Sequence, residues 1–153
     1  RNPFKREGSL QWRMIENHYA MIQINRHPVF GLGLANSYRP PMESEGDMYG
    51  DWAYKYVENG YLYIAVMMGL VGLIPFLWLC ATYLLRVFVH YHEIRDDGLR
   101  AVYLGFGMAF LGMLACNIFS PTFVIGTRLI FFPVSMAISE TILRLERETR
   151  TPQ

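Results

Sequence analysis

Charged residues are scarce in this chain and are scattered along it. Asp, Glu, Lys and Arg make up 18% of its 153 residues, whereas 52% are hydrophobic and 15% are aromatic. An ordinary soluble domain has about 25% charged residues. The net charge is only +1 and the basic residues form no stripe, which argues against a nucleic-acid partner. The composition therefore predicts a membrane protein.

Residues that bind metals or form disulfides are also few. The two cysteines, Cys80 and Cys116, lie inside apolar runs, where a thiol is usually a small packing residue. The four histidines show no metal-ligand spacing with carboxylates on a common face. We predict neither a metal site nor a cofactor.

Long apolar runs are what the sequence has in abundance. Crossing a hydrocarbon core of about 30 Å takes roughly 20 apolar residues, and three runs are long enough. We therefore predict an all-α integral membrane fold. Pro75 predicts a kink in the first span, and three glycines in the second predict close helix approach. The predicted spans are residues 61–85, 101–119 and 121–143, and the glycines are Gly105, Gly107 and Gly112.

The arginines that flank these spans predict their orientation. Arginines cluster between the first two spans and again after the third. By the positive-inside rule, both flanks are cytoplasmic, including a tail at 144–153, and residues 1–60 face outward. The chain opens at Arg1 without an initiator Met, so we expect it to be the carboxy-terminal part of a longer protein.

The outward region is predicted to contain a helix and a loop. Ser9 can cap a helix with apolar residues at three- and four-residue spacing, which ends before Pro28. The segment that follows is rich in Gly, Pro and aromatic residues, and we interpret it as a loop over the helical bundle. Arg39, in this loop, is expected to be solvated or paired with the acids that follow it.

Three motifs occur in a characteristic order: an arginine on the outward helix, a proline–glycine turn, and an acid–Asn pair nine residues before G-x-x-G. Here they are Arg13, residues 27–33 (HPVFGLG), Glu58-Asn59, and Gly69 with Gly72. In the order and spacing of these motifs, the chain resembles the O-antigen ligase and polymerase superfamily of bacterial envelope glycan enzymes. Lipopolysaccharide ligases of that family have His where this chain has Glu58, and an acid there is more similar to polymerase-like or otherwise unassigned members.

The resemblance implies a membrane glycosyltransferase of the bacterial inner membrane, with its catalytic loop on the outer face. It implies transfer of a glycan from undecaprenyl pyrophosphate to an acceptor hydroxyl, with inversion and without a metal. The partners would be the polyprenyl-pyrophosphate donor, a glycan or lipid acceptor, membrane lipid, and the missing amino-terminal helices of the same protein, which in this family hold the rest of the site. Ligation and polymerisation would use the same chemistry.

Arg13 and Glu58 are the candidate catalytic residues. A guanidinium makes charge-assisted, often bidentate bonds to phosphate, so Arg13 would bind the pyrophosphate. Alternatively it pairs with Glu16 or Asn17 on its own helix. A carboxylate at the boundary of water and lipid is partly desolvated and is a better proton acceptor, so Glu58 would be the base. Alternatively Glu58 pairs with Lys55.

Three further residues are candidates for substrate binding. Asn59 would orient the acceptor, or it simply caps the helix that begins at Gly60. Tyr61 belongs to an aromatic cluster that would stack on sugars or form a membrane-interface belt. Arg128 lies about 10 Å inside the third span, where it either adds a cation to the pyrophosphate site or reaches outward to the surface.

Two other classes of protein compete with the transferase. A non-enzymatic transporter or flippase would use Arg128 and Pro75 in a substrate path, with the outer loop as a lid. A structural membrane subunit would need none of these polar groups. Neither class explains the order and spacing of Arg13, Glu58 and Asn59.

Overall fold

A computed structural model describes the backbone of residues 4–34, 36–40, 55–120 and 130–150, with side chains given from Arg13 to Thr149 within those ranges. The described residues form four α-helices and a short 3-10 turn at Tyr91–Glu93, and no strand. This confirms the predicted all-helical class for the part of the chain described. The helices are α1 (Phe4–Arg26), α2 (Gly60–His90), α3 (Asp97–Cys116) and α4 (Phe131–Arg150).

Helix α1 is the predicted outward helix, but it begins earlier than expected. Ser9 lies inside the helix, whose first residue is Phe4. The end before Pro28 is as predicted, because the residue that precedes a proline is disfavoured in helical backbone. Arg26 lies in the last turn, where a cation interacts favourably with the helix carbonyl end.

Helix α2 is interrupted at Gly69 and not at Pro75. Gly69 has φ 63° and ψ −161°, whereas Pro75 lies six residues further along, within the helix. The sequence did not indicate this break at Gly69, and the kink at Pro75 stays a prediction. Only glycine adopts this backbone conformation without strain, because a Cβ atom would be crowded there.

The backbone of α2 around its interruption hydrogen-bonds to the segment that follows α1. Leu32 and Gly33 donate backbone N–H groups to the carbonyls of Val66 and Met67, at 2.8 and 2.9 Å. In the other direction, Leu70 and Val71 donate to the carbonyls of Pro28 and Val29, at 2.9 and 3.2 Å. These four bonds satisfy groups that a regular helix would have bonded internally.

Gly31 and Gly69 meet at the centre of this pairing. Gly31 also has a positive φ, 68°. A Cβ atom on Gly31 would lie 2.5 Å from the carbonyl carbon of Met67, and one on Gly69 would lie 2.5 Å from that of Val29. The two glycines are thus required by backbone contact.

The chain divides into two compact units. The first contains residues 1–75 with 118–121, and the second contains the remainder. In the second unit, Tyr83, Val87, Tyr103 and Phe110 are core residues. Gly107 on α3 faces Val87, and a Cβ there would lie 2.5 Å from Val87 Cγ1, which bears out close approach at this glycine. Gly105 and Gly112 meet no atom within 4 Å among the described residues.

Two of the described helical stretches are long and apolar enough to cross a membrane, Gly60–Glu93 and Asp97–Cys116. They correspond to the first two predicted spans, 61–85 and 101–119. The outer part of the third, at 121–129, lies outside the described residues. Its inner part belongs to α4, which continues to Arg150 through most of the predicted tail. The third span stays a prediction.

Candidate active site

Arg13 and Glu58 lie 45 residues apart in the sequence and form an ion pair. Arg13 Nε donates to Glu58 Oε2 at 2.7 Å. The two side chains are 40% and 47% exposed, so a ligand can reach both. Within the described ranges, Arg13 therefore pairs across the fold rather than with Glu16 or Asn17, and Glu58 does not pair with Lys55.

Helix capping positions Glu58. The side-chain oxygen of Asn59 accepts backbone N–H groups from Tyr61 at 3.0 Å and Leu62 at 3.2 Å, which confirms Asn59 as the cap of α2. Glu58 directly precedes this cap and is held beside the amino-terminal end of the helix. Unpaired N–H groups give such an end a partial positive charge, which favours an anion.

A buried carboxylate, Glu16, connects α1 to the turn that carries Glu58. Glu16 is one helical turn from Arg13 and only 4% exposed. Its Oε2 accepts the backbone N–H of Glu58 at 3.4 Å. Burial raises the pKa of the Glu16 carboxyl above its ordinary value. The sequence suggested Glu16 only as a partner for Arg13, because a contact to a residue 42 positions away has no local signal.

Tyr38 and Arg39 surround Glu16 from the loop side. Tyr38 is fully buried and its hydroxyl hydrogen bonds to Glu16. Arg39 is 3% exposed and donates from Nε to the Tyr38 hydroxyl at 3.2 Å. Arg39 is therefore not solvated, because the tyrosine ring and Glu16 supply a buried environment with an opposite charge. The alternative, that Arg39 pairs with the acids that follow it, concerns residues outside the described ranges and stays a prediction. Gln23 fixes the same segment by donating to the Tyr38 carbonyl at 3.0 Å.

Aromatic residues border the ion pair. The guanidinium carbon of Arg13 lies 6.0 Å from the centre of the Phe119 ring, at the outer limit of a cation–π contact. Tyr56 and Tyr63 stack with their ring centres 5.5 Å apart. Tyr61 lies in the first turn of α2 and is half-buried. Phe119 had no sequence signal as a neighbour of Arg13, because it is the last residue of the second predicted span and lies far from Arg13 in the chain.

The remaining predicted binding residue, Arg128, lies outside the described residues. Of the five site residues predicted from sequence, the structure brings Arg13 and Glu58 into contact and places Asn59 and Tyr61 directly after Glu58. Their roles in catalysis and binding stay predictions.

The geometry combines an anion-binding group with a proton acceptor. A guanidinium that bonds one carboxylate oxygen keeps other donors for a phosphate. A carboxylate within hydrogen-bond reach of a substrate hydroxyl can act as a general base. Because both groups are about half exposed, an anionic ligand could replace Glu58 on Arg13 without first opening a closed core.

A model of the O-antigen ligase family matches residues 1–77. The chain belongs to the O-antigen ligase family. The matched region contains α1, the segment 28–33 that hydrogen-bonds to α2, the Arg13–Glu58 ion pair and the break in α2 at Gly69. Membership in the O-antigen ligase family, with the two apolar helices, supports a membrane protein with a ligase-type or polymerase-type function in glycan assembly. Comparison with curated proteins and with solved structures gave no match.

Proposed function

We propose that this protein is a membrane glycosyltransferase that transfers a glycan from undecaprenyl pyrophosphate to an acceptor hydroxyl. The reaction would take place on the outer face of the bacterial inner membrane. The observation that carries the proposal is the Arg13–Glu58 ion pair, which unites a phosphate-binding cation and a candidate base from separate elements. Membership in the O-antigen ligase family supports the same class of reaction.

In this proposal the donor pyrophosphate activates Glu58, the base, by binding Arg13 in place of the Glu58 carboxylate. Phosphate oxygens compete with the Glu58 carboxylate for Arg13, since a guanidinium binds both kinds of anion. Glu58 is then free to accept the proton of the acceptor hydroxyl. The hydroxyl oxygen forms a bond to the anomeric carbon from the face opposite the pyrophosphate. The bond between the anomeric carbon and the pyrophosphate oxygen breaks, and its electron pair leaves with the pyrophosphate. Inversion follows, and Arg13 stabilises the developing negative charge.

Asn59, Tyr61 and Arg128 are proposed as substrate-binding residues in this scheme. The side-chain oxygen of Asn59 is used by the helix cap, so its proposed contact with the acceptor is through the amide nitrogen. Tyr61 would offer its ring to a sugar, since aromatic faces pack on apolar sugar faces. Arg128 would add a second cation for the pyrophosphate.

The test is glycan transfer in vitro by the full-length protein, with a polyprenyl-pyrophosphate-linked donor. General bases contribute about 10²–10⁴-fold to rate, and a single charge-stabilising donor about 10²–10³-fold. We expect losses of these sizes for Glu58→Gln and Arg13→Ala respectively. Arg26→Lys, on the same helix and exposed, is the matched control and should retain activity.

A charge swap separates catalysis from structure. An exposed ion pair contributes about 0–1 kcal/mol to stability, so the single variants should still fold and insert. The double variant Arg13→Glu with Glu58→Arg keeps opposite charges in contact but exchanges their places. We expect it to fold and remain inactive. Recovery of transfer in the swapped variant would show that the pair serves the fold alone.

A transporter or flippase is the second candidate, favoured by the interruption of α2 at Gly69 within a candidate span. Broken helices line the substrate sites of many transporters. The same assay distinguishes the two, because a transporter moves the lipid-linked glycan but forms no glycosidic bond. Translocation without transfer by the wild-type protein would support the transporter.

A further inference from the structure

The segment from Pro28 to Leu34 is attached to α2 well inside the candidate span. Its bonds reach Val66, Met67, Leu70 and Val71. At about 1.5 Å per residue, the first of these lies about 9 Å and the last about 16 Å from the start of α2. Half of a hydrocarbon core is about 15 Å. The uncharged apolar run begins at Gly60, directly after Glu58 and Asn59. With the edge of the hydrocarbon at that point, the bonded segment lies within the core rather than above it.

The backbone of this segment is suited to an apolar medium. In hydrocarbon, unpaired N–H and C=O groups are costly, so irregular backbone is found there only where it is bonded to protein. Besides the four bonds to α2, Gly31 donates to the carbonyl of His27 at 3.1 Å. At the other end, the Asn36 side chain donates to the carbonyl of Leu32. The segment and the broken helix thus supply backbone hydrogen-bond partners to each other.

The side chains of the segment are apolar and point away from the protein. Val29, Phe30 and Leu34 are 48%, 76% and 68% exposed. The residues of α2 beside them, Met68, Leu70 and Val71, are also exposed. The run PVFGLGL has no polar side chain, whereas Arg26 and His27 precede it and Asn36 and Ser37 follow it. An apolar surface of this kind, with polar ends, is typical of a membrane contact.

We infer that residues 28–34 form a re-entrant segment, immersed in the hydrocarbon of the leaflet at the Gly60 end of α2. Phe30 and Leu34 contact lipid acyl chains. The acyl chain is the occupant because the segment continues the exposed apolar surface of a candidate span and carries no polar side chain that calls for a polar partner. The inference does not depend on the proposed reaction.

Spin labelling of the full-length protein in liposomes tests this directly. All cysteines are first replaced, including Cys80→Ala and Cys116→Ser. A nitroxide is then attached at Phe30→Cys, and its collisions with oxygen and with a water-soluble nickel chelate are compared. Trp78→Cys, 73% exposed on α2, is the hydrocarbon control. Ser37→Cys, exposed just beyond the segment, is the aqueous control.

We expect the label at residue 30 to behave like that at 78, with frequent collisions with oxygen and few with nickel. The label at residue 37 should show the opposite ratio. Nickel accessibility at residue 30 equal to that at 37 would place the segment in water and overturn the inference. Protection from both reagents would also overturn it, since protein would then cover the segment. A label that becomes accessible to oxygen only when polyprenyl phosphate is added would identify a prenyl chain as the occupant instead.

Discussion

Glu16 carries a carboxyl group that is nearly inaccessible to water and lies one helical turn from Arg13. Its contacts are the backbone N–H of Glu58, the Tyr38 hydroxyl and the charge of Arg39. Burial outweighs these favourable contacts and raises the pKa of Glu16. Because the pKa of Glu16 is higher in the folded state than in the unfolded chain, folding favours its protonated form relative to the unfolded chain and stability depends on pH.

Replacing Glu16 should reveal this linkage. A folded-state pKa above the unfolded value of 4.5 gives a stabilising contribution that is present below pH 4.5 and lost as pH rises through the folded pKa. Glu16→Gln is neutral at every pH, so we expect it to unfold at a higher temperature than wild type at pH 7.5. The difference should shrink on acidification. Thermal unfolding of the full-length protein in detergent measures both.

Glu148→Gln is the control for this measurement, because Glu148 is exposed. It should leave the pH dependence of unfolding unchanged. A Glu16→Gln protein that is less stable than wild type at pH 7.5 would show instead that the charge of Glu16, held by Arg39, stabilises the fold.

At this scale the sequence identified the two residues of the ion pair better than the residues around them. Arg13, Glu58 and Asn59 were found by motif, and the cap at Asn59 followed from residue type. The burial of Arg39 could not be predicted, because exposure depends on which tertiary neighbours cover a side chain. Glu16 and Phe119 were missed for the same reason, since both meet the pair through contacts that span the fold.

At the scale of the elements, the contact between α2 and residues 28–33 can be tested at Gly69. An alanine there would hold a positive φ and would bring its Cβ against the backbone of Val29 and Gly31. Strained backbone of this kind costs about 1–3 kcal/mol before any clash is counted. We expect Gly69→Ala to lower the thermal unfolding temperature in detergent and to separate residues 28–33 from α2. Increased proteolysis near Phe30 would report that separation.

Gly105→Ala is the matched control in a second helix, since its Cβ would meet nothing within 4 Å among the described residues. Alanine in a helix interior is favoured over glycine by about 0.5–1 kcal/mol. The variant should therefore be as stable as wild type or slightly more so. Equal stability of the Gly69 and Gly105 variants would contradict the backbone contact.

The helices show which features the apolar pattern of the sequence can locate and which it cannot. The length of the apolar runs located α2 and α3 to within a few residues. Whether a helix is long and apolar enough to cross a membrane can be read from its composition alone. The break at Gly69 could not be located in that way. It depends on a segment some 40 residues earlier that supplies the missing hydrogen bonds, whereas a proline gives a purely local expectation of a kink.

At the scale of the whole molecule, the family and the membrane character were predictable and the division into two units was not. Residues 1–77 carry the family match and coincide closely with the first unit, which ends at Pro75 before the short return at 118–121. The second unit has its own core, in which the Tyr83 hydroxyl hydrogen bonds to Ser139 at 2.9 Å. Its boundary falls inside α2, where apolar composition does not change, so no sequence signal marks it.

The central claim is that Glu58 takes the proton of the acceptor while Arg13 holds the donor. A free imidazole loses its proton about two pH units above a free carboxyl group. The most direct measurement is therefore the pH profile of glycan transfer by the full-length wild-type protein and by Glu58→His. We expect the variant to remain active and the acid limb of its profile to lie about two pH units higher. An acid limb at the same pH in both proteins would contradict the claim, since another group would then be the base.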